Sequence, residues 1–313
     1  MFMRATRIPA HLFEEFVKGF GDPLISDLGG YLRWMHRMSI LKTFWCSDWK
    51  SLGYLGLMDS GKLIGVLRAL RMRVIFHGHG AWRGLRERGE IQDIFFSRWR
   101  VEYLEEILQR AEKIFSKHGL RDFGVSEWKP DAWRVLEECG FSPYARSVLI
   151  TWNLGEEIPK SGNQEVEIRI GSRRDLSKLR RIQQESWGFF IPPSLKHHII
   201  LIAYLGGEAV GSAYLNKYTG NIDFGVHVRR EFQRRRIGAA ILHSARSLFR
   251  RLGFRRMSVV RVLRALSKVN ESDRIALSFY INCGGRVLRE YRGFRRKIRP
   301  RKLKIPELSE YVC

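Results

Sequence analysis

Residues 226–242 combine a strand, a short charged loop and the start of a helix, and their types suit the binding of an anion. Three consecutive arginines, residues 234–236, fill the loop, and Gly238 and Ala239 follow at the start of the helix. The first N–H groups of a helix have no partner within the helix, and the helix dipole adds positive potential at that end. The sequence therefore predicts a pyrophosphate site at this junction.

A second segment, residues 273–284, contains a candidate proton donor. Tyr280 lies within a predicted amphipathic helix. A phenol that lies near a leaving thiolate can supply the proton which that group needs. A tyrosine on such a helix can also simply pack at the edge of a core, so both interpretations stay open.

The first segment resembles motif A of the GNAT acetyltransferase superfamily, in which a strand of the Leu-x-Val kind leads to Gln/Arg-x-x-Gly-x-Gly/Ala. Val226 and Val228 match the strand. Gln233 matches the first loop position, and Gly238 matches the last. Arg236 departs from the pattern, because the family has its first glycine there. The arginine could crowd the phosphates or neutralise them, and we expect the backbone site to persist if Arg236 has a negative φ, as entry into a helix allows.

The second segment resembles motif B of the same family, Asn-x-x-Ala-x-x-Leu/Phe-Tyr-x-x-x-Gly-Phe. Ala276, Tyr280 and Gly284 match this pattern, and Asp273 replaces the usual asparagine. The resemblance implies that acetyl-CoA is the cofactor, that the strand pairs with its pantetheine arm and that the loop amides hold its pyrophosphate. The residues predicted to bind it are Val226, His227, Val228, Gln233, Arg234, Arg235, Arg236, Ile237, Gly238, Ala239, Asp273, Ala276 and Tyr280.

The resemblance also implies an N-acetyltransferase that moves an acetyl group to a primary amine, of a protein or of a small molecule, by direct attack in a ternary complex. In that family, the tyrosine that matches Tyr280 donates a proton to the leaving thiolate. The candidates for the general base are Asp223 and His227, which lie four residues apart on one strand and share a face. Asp223 could equally bind the acceptor amine, and His227 could be a structural histidine.

The net charge of +24 is distributed unevenly along the chain. Residues 229–302 contain 23 Lys and Arg against 4 Asp and Glu, a net charge of +19 (23 − 4). Such a surface attracts acidic partners, although basic surfaces also occur without a partner. The alternative hypothesis is therefore a nucleic-acid-binding or RNA-modifying protein on a GNAT-like scaffold, with a nucleic acid or another acidic molecule as its partner.

The order of strands and helices indicates a mixed α/β chain. With the resemblance, it implies an α/β (α+β) fold of tandem GNAT-like domains, each a mixed, mostly antiparallel sheet flanked by helices. We place the first domain at residues 1–152, a polar linker at 153–165, and the acetyltransferase domain with a basic C-terminal tail at 166–313. The second half is predicted to contain strands at 166–170, 199–204, 209–215, 222–228, 257–262 and 286–294 and helices at 173–186, 236–252 and 273–282.

The first half repeats this order of strands and helices, but it lacks the glycine of motif A and the tyrosine of motif B. Leu136 occupies the position of the tyrosine, and the junction at residues 96–104 has no glycine. Glu102 would lie near a phosphate, where a negative charge is unfavourable. We therefore expect a degenerate GNAT-like domain without the CoA loop, which serves packing, dimerisation or acceptor recognition. An unrelated α/β domain is the alternative.

Several other classes of protein are disfavoured. The four cysteines form no CxxC pair, so no zinc or redox motif is predicted. His77 and His79 lie in a glycine turn without other ligand types nearby, which predicts no metal site. The longest apolar run, around residues 199–205, is too short to cross a bilayer. We expect a cytoplasmic monomer or homodimer that acts on an amine-bearing acceptor and not on a membrane.

Overall fold

The computed structural model describes residues 3–20, 48–76, 84–156, 162–188, 190–263 and 271–298. The first half contains β1 (Met3–Ile8), α1 (Ala10–Lys18), β2 (Asp48–Asp59), β3 (Lys62–Phe76), β4 (Gly84–Phe96), α2 (Val101–Lys117), β5 (Asp122–Glu127), α3 (Pro130–Glu138) and β6 (Ser142–Asn153). The second half contains β7 (Glu167–Ile170), α4 (Leu176–Trp187), β8 (His198–Leu205), β9 (Glu208–Asn216), β10 (Ile222–Val228), α5 (Ile237–Arg251), β11 (Arg256–Leu263), α6 (Glu271–Asn282) and β12 (Arg286–Lys297). Strand pairing is mostly antiparallel and helices flank the sheets, so the predicted fold class is confirmed.

Local sequence signals explain where several elements begin and end. The chain enters α4 through a capping box, in which the Ser172 hydroxyl accepts from the Arg174 N–H and the Asp175 carboxylate accepts from the Ser172 N–H. Helix α5 is followed by Gly253, whose φ of 83° is left-handed. The β8–β9 hairpin turns through residues 206–207, two glycines with positive φ. These signals fix the frame that positions the site.

The two halves of the chain share one sheet. An eight-stranded sheet has the order β1-β2-β3-β4-β5-β12-β6-β11, and a four-stranded sheet has the order β10-β9-β8-β7. Strand β12, at the end of the second half, lies between β5 and β6 of the first half. Strand β6 in turn lies between β12 and β11 of the second half. Strands of the two halves therefore alternate at one end of the eight-stranded sheet, in the order β5-β12-β6-β11.

The exchanged strands also exchange core side chains. Phe294 of β12 is buried in the cluster formed by β2 to β5 and α2 of the first half. Val148, Ile150 and Trp152 of β6 are buried in the cluster of the second half, with α5 and β11. The indole N–H of Trp152 donates to the carbonyl oxygen of Cys283 at 2.9 Å. The halves thus share both cores, a feature that the prediction of one sheet per domain did not include.

A buried arginine directly after β10 anchors the loop that leads into α5. Arg229 is 2% exposed. Its guanidinium forms ion pairs with Glu185 of α4 at 2.5 Å, with Glu208 of β9 and with Glu231. The cluster joins α4 and β9 to the loop and so fixes the point from which the loop starts.

Replacing Arg229 with Met should destabilise the protein by about 3 kcal/mol, because three neighbouring carboxylates lose the cation that they share. Urea denaturation at neutral pH measures this loss. Arg169→Met breaks an exposed pair with Glu167 and is the matched control. It should have a much smaller effect, since exposed pairs contribute little. Equal effects of the two substitutions would show that the Arg229 cluster behaves as a surface pair.

Candidate active site

The site lies where β10 and β11 separate. These strands run parallel and meet at a single bridge between Asn221 and Ser258. The Ser258 hydroxyl also donates to the side-chain oxygen of Asn221 at 3.1 Å. Beyond the bridge, β10 belongs to one sheet and β11 to the other. The chain therefore opens a gap between two parallel strands, with the loop before α5 at its wide end.

A β-bulge interrupts β10 inside this gap. Its pairing with β9 changes register between Asp223 and Val226. The two intervening residues, Phe224 and Gly225, have φ angles of 68° and 88°. A Cβ on Gly225 would lie 2.7 Å from the Oη of Tyr280. The bulge therefore requires glycine at position 225, both for its backbone conformation and for the approach of the tyrosine.

Tyr280 of α6 reaches the bulge. Its side chain is buried, and its Oη accepts a hydrogen bond from the backbone N–H of Val226 at 3.0 Å. Burial raises the pKa of Tyr280, whereas Arg261 and the Val226 N–H act in the opposite direction. The phenol is therefore protonated near neutral pH and can still donate its own proton. The structure brings the strand of motif A and the tyrosine of motif B into direct contact.

Asp223 lies at the other side of the bulge and is held in one orientation. Its Oδ2 accepts from the Nε2 of His198 at 2.9 Å and from the amide of Asn216 at 3.0 Å. Its Oδ1 accepts from the amide of Asn221 at 2.6 Å. The Nδ1 of His198 accepts from the N–H of Ser194, which assigns the imidazole proton to Nε2. This support of the carboxylate could not be predicted from the sequence, because its donors come from three separate segments.

His227 lies on the same face of β10 as Asp223, because the two pair with alternate residues of β9. Its imidazole is buried against Trp187, with ring centroids 4.3 Å apart, and the Ser186 hydroxyl lies 3.3 Å from Nδ1. Burial lowers the pKa of His227 to about 3, and Arg261 acts in the same direction. The imidazole is therefore neutral near physiological pH.

The buried imidazole should make the stability of the protein depend on pH. The folded-state pKa of His227 is about 3 and the ordinary value is 6.5, so the unfolded chain binds this proton first and stability is lost as pH falls from 6.5 towards 3. Between about pH 7 and about pH 5, this residue should remove about 2 kcal/mol of stability. Urea denaturation of wild type and His227→Asn at both pH values measures the difference. The same pH dependence in both proteins would contradict the assignment.

The loop before α5 enters the helix through left-handed residues. Arg234 has a φ of 62° and Arg236 a φ of 58°, so the condition of a negative φ at Arg236 is not met. Glycine adopts this conformation freely, whereas a residue with a Cβ loses about 1 kcal/mol there. The side chain of Arg236, the N-cap, makes no capping hydrogen bond. The N–H groups of Ile237, Gly238 and Ala239 thus have no partner within the helix.

Gly238 has a packing role in addition to the predicted one. A Cβ at this position would lie 2.9 Å from the Cζ of Phe279, so α5 and α6 approach each other closely here. The side-chain amide of Gln233 donates to the carbonyl oxygen of Val228 at 3.2 Å and folds the loop back onto β10. The arginines at 234–235 are exposed beside it. The loop therefore presents backbone N–H groups and cationic side chains on one side and packs on the other.

Asp273, near the start of α6, forms a buried ion pair that the sequence analysis did not predict. It is 1% exposed, and its Oδ1 lies 3.3 Å from the Nη2 of Arg261 on β11. The prediction gives Asp273 a contact with the cofactor, whereas its carboxylate in the structure bonds to a neighbouring strand. Ala276 lies one turn further along α6 and is partly buried. The isolated charge of Arg261 within residues 257–263 was the available signal.

The corresponding positions of the first half lack this arrangement. Leu136 takes the position of the tyrosine and is fully buried in the first core. Helix α2 carries Glu102 in its first turn, and its negative charge would repel a phosphate. The part of the first half that the structure describes offers no equivalent of Tyr280.

Two further classes of site find no support within the described residues. No three His, Cys, Asp or Glu side chains among them are grouped to hold a metal ion. His77 and His79 lie outside the described residues. None of the described helices has the length and apolarity needed to traverse a bilayer.

Comparison with known proteins agrees with the geometry. A family model described as Acetyltransferase (GNAT) family matches residues 168–284. No curated protein is recognisably similar to the chain in sequence. A tandem GNAT protein from the clavulanic acid biosynthesis pathway superposes with a TM-score of 0.58 and 10% identity, over 96% of this chain and 99% of that one. A GCN5-related N-acetyltransferase from Sphaerobacter thermophilus gives a TM-score of 0.57 and 18% identity, over 79% of this chain and 81% of its own.

A Drosophila protein gives a TM-score of 0.56 and 11% identity, over 95% of this chain and 98% of its own. Sequence identities this low show that the proteins share a fold, and they show nothing about a shared substrate or activity. The match to the family model spans the bulge of β10, the loop with the arginines at 234–236 (the arginine loop) and the helix of Tyr280. Residues 168–284 are therefore a domain of the GNAT acetyltransferase family, on a chain whose fold follows that of a tandem GNAT protein over nearly its whole length.

Proposed function

We propose that residues 166–313 transfer an acetyl group from acetyl-CoA to a primary amine by direct attack in a ternary complex. The family of this domain supports acyl transfer as the reaction class. The observation that carries the proposal is the hydrogen bond of 3.0 Å between the Val226 N–H and the Oη of Tyr280. It joins the two motifs at the bulge of β10.

The residues around the gap fit an anionic cofactor of the acetyl-CoA kind. The uncapped N–H groups at the start of α5 and the exposed arginines at 234–236 suit a pyrophosphate. The backbone of β10 separates from β11 beyond Asn221, so an amide-bearing arm can pair with it. When bound, acetyl-CoA would supply a thioester with an electrophilic carbonyl carbon.

The proposed chemistry assigns one proton transfer to each side of the bulge. Tyr280 donates its hydroxyl proton to the sulfur as the carbon–sulfur bond breaks and the amine nitrogen bonds to the acyl carbon. Asp223, oriented by His198, accepts the proton that the amine loses, directly or through one water. His227 is the alternative base, as a neutral imidazole. In total, one amide forms, one thioester breaks, and one proton moves from nitrogen to sulfur.

Calorimetric titration with acetyl-CoA tests the binding, and thiol release with a set of primary amines tests the transfer. The double variant Arg234→Glu/Arg235→Glu should weaken acetyl-CoA binding by at least about tenfold, because two attractive charges become repulsive. Arg250→Glu/Arg251→Glu makes the same change of charge at the other end of α5, about 20 Å away, and should leave the Kd unchanged. Absence of binding in the wild type, or an equal loss in both variants, would contradict the proposal.

The alternative hypothesis, a nucleic-acid partner, rests on the excess of arginines in the second half. Several of these arginines contact other side chains of the protein itself. Arg289 lies 4.1 Å from the ring centroid of Trp128, and Arg292 lies 3.9 Å from that of Trp133. Arg229 is used by three glutamates. Titration with tRNA over a series of salt concentrations tests whether the remaining arginines bind a nucleic acid. A steep salt dependence would support an acidic partner, and the absence of binding at low salt would exclude tRNA.

A further inference from the structure

Arg261 faces the reacting end of the site, and acetyl transfer as proposed does not use it. Asn221 pairs with Ser258 in a parallel bridge, so the residue three positions after Ser258 is level with the bulge. The Nη1 of Arg261 lies 3.8 Å from the position that a Cβ on Gly225 would occupy. The Oη of Tyr280 lies 2.7 Å from that same position. The guanidinium and the phenol therefore converge on one point of the bulge.

The hydrogen bonds of this guanidinium are incomplete. Asp273 contacts it through Nη2 at 3.3 Å. Within the part of the chain that the structure describes, the buried Nε of Arg261 has no hydrogen-bond partner. A buried N–H group of a cation without an acceptor is costly, so an added acceptor beside this guanidinium is favoured. The methyl group of an acetyl ligand offers no acceptor.

The positive field of Arg261 reaches the neighbouring side chains in spite of Asp273. It lowers the pKa of His227 and opposes the effect of burial on the pKa of Tyr280. Asp273 pairs with this guanidinium through Nη2, and Nη1 is the nitrogen nearest the bulge. A ligand group at the bulge meets a cation, and an anionic group is favoured there over a neutral one of the same size.

We propose that Arg261 binds the carboxylate of acyl groups that carry one, so that the site accepts CoA thioesters of short dicarboxylic acids, such as malonyl- and succinyl-CoA, in addition to acetyl-CoA. The inference rests on the proposed acyl transfer. Arginine suits this role because its planar donors match a carboxylate in geometry. The bond changes are those of acetyl transfer. The amine nitrogen bonds to the thioester carbon, the carbon–sulfur bond breaks, one proton moves from nitrogen to sulfur, and the distal carboxylate keeps its charge.

Calorimetric binding tests this inference without any turnover. Succinyl-CoA and butyryl-CoA both carry four-carbon acyl groups and differ in the terminal charge. Wild-type protein should bind succinyl-CoA at least about tenfold more tightly than butyryl-CoA, as a buried charge-assisted pair predicts. The variant Arg261→Met/Asp273→Asn should lose this preference, so that its Kd values for the two thioesters become equal. Its second substitution removes the charge of the carboxylate that pairs with Arg261 and supplies the asparagine that the motif usually has.

Arg246→Met is the matched control, because Arg246 is another buried arginine of the second half, on α5, and the preference should persist without it. Equal Kd values for succinyl- and butyryl-CoA in the wild type overturn the inference, and this comparison needs no variant to fold. A preference that survives in the Arg261 variant overturns it as well. Binding of acetyl-CoA without any preference leaves the proposed function standing, whereas binding of no thioester at all removes both.

Discussion

Replacing Tyr280 with Phe should lower the kcat of acyl transfer by a factor of about 10² to 10⁴, the contribution typical of a positioned general acid. The substitution removes only the oxygen that accepts from the Val226 N–H. Because that N–H then lies buried without an acceptor, the protein should also lose about 1–3 kcal/mol of stability. The Kd for acetyl-CoA should not change, since the arginine loop and the backbone of β10 are intact.

Single-turnover measurements of thiol release at saturating acetyl-CoA separate the chemical step from binding. Tyr204→Phe is the matched control, because Tyr204 is also a buried tyrosine whose Oη accepts a hydrogen bond. Its donor is the Nζ of Lys178 on α4, at 3.1 Å. The control loses a hydrogen bond and should keep its kcat. An unchanged kcat in Tyr280→Phe would leave this tyrosine with the packing role that the sequence also allowed.

The sequence was informative wherever the determining interactions are local. Strand β10 covers the predicted residues 222–228, and α5 begins one residue after its predicted start. Caps and glycine turns act within a few residues, so the sequence around them is sufficient. The family pattern linked the loop to Tyr280, and the hydrogen bond to Val226 has the geometry which that link implies.

Other features depend on residues that are distant in the chain. Phe224 has a positive φ because β10 must change register against β9, and no motif in β10 indicates this. The sequence shows Arg261 as the single charge within residues 257–263. The direction in which its side chain points depends on the neighbouring strands, which the local sequence does not specify. Strand pairing has the same limit, because β6 and β12 have patterns that fit a strand in either sheet. Elements β1, α1 and β2 were not predicted, since the family motifs do not extend to them.

Expressed as separate chains, the two halves should fail to fold, whereas co-expressed halves should form a native-like complex. A fragment of residues 1–158 lacks β12, which separates β5 from β6 and supplies Phe294 to the first core. A fragment of residues 159–313 lacks β6 and with it Trp152 of the second core. Each large core side chain contributes about 3–5 kcal/mol. Because a protein has a net stability of only about 5–15 kcal/mol, neither fragment should retain a folded state.

Circular dichroism and gel filtration of each fragment, and of the pair, measure this outcome. The control is an intact chain with a protease site in the predicted linker, residues 153–165, cut after folding. It should stay one complex, which separates the loss of chain connectivity from the loss of a strand. Cooperative unfolding of either fragment alone, at the Tm of the whole chain, would show that the halves are independent domains. Co-expression is the more demanding of the two experiments. Because β6 and β12 pair with each other, a stable complex requires that each fragment takes up the strand of the other at the same time.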